Sequence, residues 1–388
     1  MPPSTLSSTS HVPFSPPLVG RAEIAEVVAV LESGWLTTGP RVAAFEEAFA
    51  AYAGTSHAVA LNSCTAALHL SLLAAGVEAG DEVVTTPLTF CATANTIIHA
   101  GGRPVFADVD PRTGNLDRAA AAAAFTSRTR ALLPVHYGGR AIEMGAFRTV
   151  ARPGGLTLIA DAAHCVEGRI AGTPVGSLAD FTCFSFYATK NLTTGEGGMV
   201  TTGDERAAAF IRTASLHGLS RDAWQRYAPG GRSDYDVVMA GFKYNMMDLQ
   251  AAIGLHQLAG IEARLAQREA IWRAYDTALT GLPLVLPAAV PAGDRHARHL
   301  YTVLVDERVA GVTRDELQRR LAARGIGTSV HFRALHLHPY YQERFGYERG
   351  MFPNAECISD TTLSLPLSAA MTTDTVDRVI EAVHDSLL

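Results

Sequence analysis

An α/β fold, with helices packed on a largely parallel sheet, is predicted by two features of the sequence. From His57 to about residue 200, short strand-like runs alternate with helical or loop segments, the pattern of a sheet covered by helices. A long helical pattern then runs into a proline-rich break, and further strand and helix signals follow, so a smaller α+β domain is expected to complete the chain. At 388 residues the chain is long enough for both.

The opening "MPPSTLSSTSHVPFSPP" has no basic segment followed by an apolar stretch, so residues 1–20 read as a flexible arm and not a signal peptide. "RAEIAEVVAVLESG" places Ile24, Val27, Val28 and Leu31 at helical spacing and stops at Gly34, and "RVAAFEEAFAAYAG" repeats the pattern to Gly54. The runs "HAVAL", "EVVTT", "PVFADV", "RALLPV", "LTLIAD", "DFTCFSF" and "GMVTT" are the expected strands. Asp248 to about Leu279 reads as one long linking helix between a large domain over 21–260 and a small one over 261–388. In the small domain "YTVLVD", "TRDELQRRLAARG" and a closing helix from Thr375 are the clearest signals, and the run Ala119 to Ala124 is expected to be solvent-facing helix.

Composition removes several classes of function. Apolar residues make up 48% and charged residues 18%, a globular balance, and a formal charge of −6 argues against nucleic-acid binding by a broad basic surface. The five cysteines are scattered and form no C-x-x-C pair, so no disulfide framework or zinc knuckle is expected, and a reducing cytoplasm fits best. The longest uncharged run, Val83 to Gly102, contains proline, asparagine, histidine and threonines, so it reads as buried core and no membrane span is expected. The sequence contains no G-x-G-x-x-G, no G-x-x-x-x-G-K-[ST] and no G-x-S-x-G, which removes support for a dinucleotide dehydrogenase, a P-loop NTPase and an α/β-hydrolase.

What remains is Lys190, in "SFYATKNLTTGEGG", and Asp161, ending the strand "LTLIAD". Residues just beyond the carboxyl ends of strands converge on one crevice in an α/β sheet, so the two are expected to meet around one ligand. A lysine whose pKa is lowered forms a Schiff base with an aldehyde. Pyridoxal phosphate is the aldehyde cofactor that uses such a lysine, and it needs an acid beside its ring nitrogen. Ser63, Cys64 and Thr65 open a helix whose free N–H groups suit a phosphate, Ser185 adds a hydroxyl, and Phe90 offers a flat face to the ring.

Read together, "GWLTTGPRVAAFEEAFAAYAG", "DAAHCVEG", the lysine loop, "GFKYNMMDLQAAIGLHQL" and "FPNAECISDTTLSLPL" resemble the DegT/DnrJ/EryC1/StrS aminotransferases over nearly the whole chain. The resemblance implies a fold-type I pyridoxal phosphate enzyme that forms pyridoxamine phosphate in turnover, with Lys190 as the Schiff-base lysine and Asp161 at the pyridine nitrogen. It assigns His164 to the pyridoxal hydroxyl, Ser185 and the backbone around Cys64 and Thr65 to the phosphate, and Phe90 to the ring. Asn245 is implied to reach the phosphate of the neighbouring subunit, making the enzyme a homodimer with shared sites. Trp35, Thr38, His331, His336 and Tyr341 are implied to border a sugar-nucleotide pocket, with Tyr187 and Arg221 as further substrate contacts. A metal is the weaker reading of His331, His336 and His338, which lie in a family substrate loop without a nearby carboxylate set. The implied reaction moves an amino group from L-glutamate to a nucleotide-linked keto sugar, with the C4 ketone of a 4-keto-6-deoxyhexose as the expected acceptor. Alternatives are a 3-keto sugar or a cyclitol as acceptor, a sugar dehydratase, which the presence of Lys190 disfavours, and a non-catalytic regulatory binder.

Overall fold

In the computed structural model, residues 11–219 and 236–387 are described. Seven strands, β1 (His57–Leu61), β2 (Glu82–Thr85), β3 (Arg103–Phe106), β4 (Thr129–Leu133), β5 (Thr157–Asp161), β8 (Phe181–Ser185) and β9 (Gly198–Thr202), form one sheet; a two-residue pair, β6 (Arg169–Ile170) and β7 (Thr173–Pro174), stands apart from it. The order across the sheet is β1-β9-β8-β5-β4-β2-β3, and β9 alone runs opposite to the other six strands. All seven runs expected to be strands are strands. They read as near-continuous apolar runs because helices cover both faces: β8 and β9 are buried at every position.

The helices of this part are α1 (Arg21–Ser33), α2 (Pro40–Ala53), α3 (Cys64–Ala74), α4 (Cys91–His99), α5 (Arg118–Ala123), α6 (Met144–Ala151), α7 (Glu205–Ala214) and α8 (Asp248–Ala259). One core joins α3 and α7 to one face of the sheet, and a second joins α2 and α8 to the other. Helix α1 forms where its spacing places it, yet Ile24, Val28 and Leu31 are exposed, and the side turned inward carries Val30 and Glu23. Glu23 tolerates burial because Gln257 (2.7 Å) and Arg264 (2.9 Å) both donate to its Oε1. The alanine run is not wholly solvent-facing: Ala121 is fully buried against Leu116, Phe147 and Leu158.

The long helical pattern is two helices. Gly260 closes α8 and opens α9 (Ile261–Leu279), because the two halves pack on different cores. Helix α8 lies on α1 and α2, whereas Ile271, Trp272, Tyr275 and Leu279 of α9 enter a third core with the sheet β10 (Leu284–Val285), β11 (Tyr301–Val305) and β12 (Thr362–Leu365). Helices α11 (Arg314–Ala323) and α14 (Thr373–Leu387) cover that sheet, while α10 (Glu307–Ala310), α12 (Pro339–Phe345) and α13 (Pro353–Thr361) are short connectors.

The described part of the N-terminal arm is anchored, contrary to the flexible reading. Val12 is 2% exposed, inserts into this third core, and exchanges backbone hydrogen bonds with Gly325 and Gly327, each 2.8 Å. Ser15 Oγ then donates to the carbonyl of Thr189 (3.1 Å), next to Lys190.

Candidate active site

The parallel strands deliver their carboxyl ends to one edge of the sheet, and the β8–β9 connection, which carries Lys190, turns back over that edge. Asp161 ends β5 and pairs in register with Cys183 of β8, so Asp161, Ser185 and the lysine loop share one rim. Between them lies a cavity of about 460 Å³ lined by Ser63, Cys64, Thr65, Phe90, Asp161, His164, Ser185, Tyr187, Lys190 and His331, all named from the sequence, together with Thr93 and Phe332. A larger hollow of about 980 Å³ lies at the opposite ends of the strands. Its acidic side chains are already engaged, Asp204 as the cap of α7 and Asp180 with Arg148, and neither lysine nor histidine reaches it.

Asp161 is buried, and burial pushes its carboxyl up; the Ala163 N–H (3.1 Å to Oδ1), the Thr93 hydroxyl (2.9 Å to Oδ2) and the charge of Lys190 act against that shift. Burial likewise pushes the Lys190 ammonium down to about 8, against the attraction of Cys64 and Asp161. An amine so placed is close to half neutral at mildly alkaline pH, the form that attacks a carbonyl. Cys64 is no rival nucleophile, since burial and the Asp161 charge push its thiol well above the usual range. His164 is held neutral by burial and by the nearby Lys190, His299 and His331; its Nδ1 is a buried polar atom without a partner among the described residues.

The floor of the cavity is the start of α3. Ser63 caps the helix, its Oγ accepting the Ala66 N–H at 3.1 Å, which leaves the N–H groups of Cys64 and Thr65 for an anion. Gly198 makes this possible, since a Cβ there would stand 2.3 Å from the Ser63 carbonyl carbon and 2.5 Å from the Cys64 nitrogen. Phe90 is 60% exposed on the rim, with Phe332 at 6.5 Å between centroids, and Tyr187 is 48% exposed.

Other predicted residues are placed elsewhere. His336 is fully buried with Nε2 on Glu356 (2.9 Å), and Tyr341 is buried with its hydroxyl on Asn95 (2.7 Å), so both stand in the core rather than at the cavity border. His331 Nδ1 instead meets Ser364 Oγ at 2.8 Å, and the three histidines of this loop do not converge. Trp35, Thr38 and Asn245 form a separate cluster: Asn245 Nδ2 donates to Thr38 Oγ1 (2.7 Å), which donates to the Met246 carbonyl (2.6 Å), and Trp35 Nε1 donates to the Thr38 carbonyl (3.1 Å). None of the three lines this chain's own cavity. Arg221 lies outside the described residues.

Thr93 and Phe332 were not visible in the sequence, because Thr93 matters through its hydroxyl on Asp161 and Phe332 through its ring on His164, contacts made only in the fold. One strong signal was available: the chain has only two lysines, Lys190 and Lys243, among 32 basic residues. Lys243 Nζ donates to Asn245 Oδ1 at 2.7 Å and is not on the cavity wall.

A family model described as the DegT/DnrJ/EryC1/StrS aminotransferase family matches residues 17–384. The chain belongs to that family. It is 53% identical over 375 residues to the spore coat polysaccharide biosynthesis protein SpsC of Bacillus subtilis, covering 96% of both chains. Its fold is similar to the sugar aminotransferase Spr1654 of Streptococcus pneumoniae, described as putative and solved in PMP and PLP forms; against the PMP form the TM-score is 0.90 at 32% identity, covering 97% of this chain and 98% of the other. It is also similar to DesI, solved in the presence of its TDP-sugar product, with a TM-score of 0.87 at 34% identity over 99% and 95% of the two chains. This DegT/DnrJ/EryC1/StrS family member is therefore a fold-type I, pyridoxal phosphate-dependent aminotransferase. The cavity fits the cofactor: an amine with a lowered pKa, a buried carboxylate, the unpartnered His164 Nδ1, and a helix start kept open by Gly198.

Proposed function

We propose that the enzyme moves an amino group from L-glutamate to the C4 ketone of a nucleotide-linked 4-keto-6-deoxyhexose. The observation that carries the transfer is the meeting of the Lys190 amine and the buried Asp161 carboxylate on one cavity; the sugar class is supported by the similarity to DesI and its TDP-sugar product. When bound, pyridoxal phosphate supplies the electron sink that makes the carbon-bound proton of the donor removable. Lys190 would hold the cofactor through its amine and, with that amine freed, would take the proton at Nζ and later give it up again, so it would act as both nucleophile and general acid/base. Asp161 would pair with the ring nitrogen and favour its protonated form, while the start of α3 and Ser185 would hold the phosphate. His164 would meet the ring hydroxyl and Phe90 would cover the ring.

Asn245, Trp35 and Thr38, which do not line their own chain's cavity, are proposed to complete the site of a second copy in a homodimer. The five free cysteines accord with a cytoplasmic enzyme.

The test has two halves: treat the loaded enzyme with L-glutamate alone and follow release of 2-oxoglutarate, then add a dTDP- or UDP-linked 4-keto-6-deoxyhexose and locate the new amine by NMR. An amine at C4 is the expected product. Amination only of a 3-keto sugar or a cyclitol would move the acceptor to those classes, and loss of a hydroxyl without amination would make the enzyme a dehydratase.

A further inference from the structure

Beside Lys190, a line of buried polar groups leads from α9 to the cavity wall. Arg268 Nη2 donates to Glu167 Oε1, both side chains fully enclosed, and Arg295 Nε donates to the Glu167 carbonyl at 2.6 Å. Asn191, the residue after the lysine, donates from Nδ2 to Glu167 Oε2 (2.9 Å) and to the Ala297 carbonyl (2.8 Å). Both of those partners can only accept, so the amide of Asn191 has one possible orientation, and its Oδ1 is the atom that lies 3.0 Å from His299 Nδ1. An amide oxygen cannot donate. His299 must therefore carry its proton on Nδ1.

His299 is 6% exposed, and burial together with Lys190, His331 and Arg268 keeps the ring neutral, so Nε2 is left with a lone pair. The ring lies against His164 at 4.4 Å between centroids and a 35° tilt, and Phe332 stacks on His164 at 5.9 Å and 16°. Gly139 lets the two backbones come together: it has a φ of 99°, and a Cβ there would stand 3.0 Å from both the His164 carbonyl oxygen and the His299 backbone nitrogen. Arg298, next in the chain, holds a φ of 50°, an uncommon conformation for a non-glycine residue.

We propose that His299 is a positioning residue of the amine-transfer site: Asn191, oriented by Glu167 and Ala297, fixes His299 as the Nδ1–H tautomer, and the ring so held backs His164 at the cavity. This goes beyond the proposed donor and acceptor and depends on neither. The arrangement explains why a buried ion pair stands so near an active lysine. Arg268 and Glu167 set the orientation of one amide, and that amide sets a tautomer.

The test begins with the full-length protein labelled with ¹⁵N-histidine, recorded by NMR without cofactor and again with pyridoxal phosphate, using the His299→Asn spectrum to assign His299. The expected result is a neutral ring protonated at Nδ1 in both states that does not titrate through the ordinary histidine range. In stopped-flow measurements of the reaction with L-glutamate, His299→Leu is expected to slow the maximal rate about 10-fold or more, with the half-saturating glutamate concentration changed by less than about 3-fold. His299→Asn, whose amide nitrogen stands near the Nδ1 position, is expected to recover most of that rate. A ring protonated at Nε2, a ring that titrates normally, a folded His299→Leu enzyme with the wild-type rate, or an Asn variant as slow as the Leu variant overturns the proposal. Should the wild type fail to react with L-glutamate, the proposed donor falls and the tautomer measurement still decides on His299.

Discussion

Lys190 is useful because it is badly solvated, and that has a thermodynamic cost. Its folded pKa of about 8 lies below the ordinary lysine value of 10.5, so between the two the unfolded chain binds more protons and stability rises with pH across that window. Below it the buried ammonium destabilises the cofactor-free fold by about 3 kcal/mol at most. Cofactor-free Lys190→Ala should therefore melt above the wild type at neutral pH, with the difference fading between about pH 8 and 10.5; thermal unfolding over a pH series checks this. Cofactor attachment should accelerate with pH and level off above about 8, as visible absorbance would show. Thr93 gives a second prediction at this scale. Thr93→Val deletes a hydrogen bond to the buried Asp161 carboxylate, a loss of about 1–3 kcal/mol for such a group, and should appear as weaker retention of pyridoxal phosphate on dialysis with the fold intact.

Among the elements, strands were the most legible part of the sequence. Runs such as "DFTCFSF" and "LTLIAD" are apolar on both sides because the sheet is covered on both faces, and the chemistry sits where those runs end. Helices were less so. Nothing in the periodicity of residues 248–279 marks Gly260 as a break, because the break is set by which core each half meets. Val12, in a proline-rich stretch that reads as loose, is buried only because the distant segment after α11, at Ile326, pairs with it. The cavity residues near strand ends were legible for the same reason as the strands; Thr93, Phe332 and His299 were not, since their roles depend on contacts made across the fold. The junction of β9 with α3 carries a prediction of its own. Gly198→Ala would drive a methyl group into the backbone of Ser63 and Cys64, an overpacking cost of about 1–3 kcal/mol that opens the start of α3. Inorganic phosphate should then protect the variant against thermal unfolding less than it protects the wild type.

For the whole molecule, the question is whether one chain contains a complete site. Asn245, Trp35 and Thr38 cluster away from the cavity of their own chain, and Ile24, Val28 and Leu31 of α1 are exposed apolar residues that would suit the proposed contact with a second copy. If sites are shared, Lys190→Ala and Asn245→Ala proteins, each inactive alone, should recover up to about a quarter of wild-type activity when unfolded and refolded together, since half the dimers are mixed and one site in each is intact. Absence of recovery would place Asn245 outside the partner's site. The central claim, that Lys190 is the amine to which the cofactor attaches, is tested most directly by borohydride reduction of the loaded enzyme followed by peptide mass spectrometry. With only two lysines in the chain, the result is unambiguous: a reduced pyridoxyl group on the peptide containing Lys190 is predicted, and one on Lys243, or on neither, would contradict it.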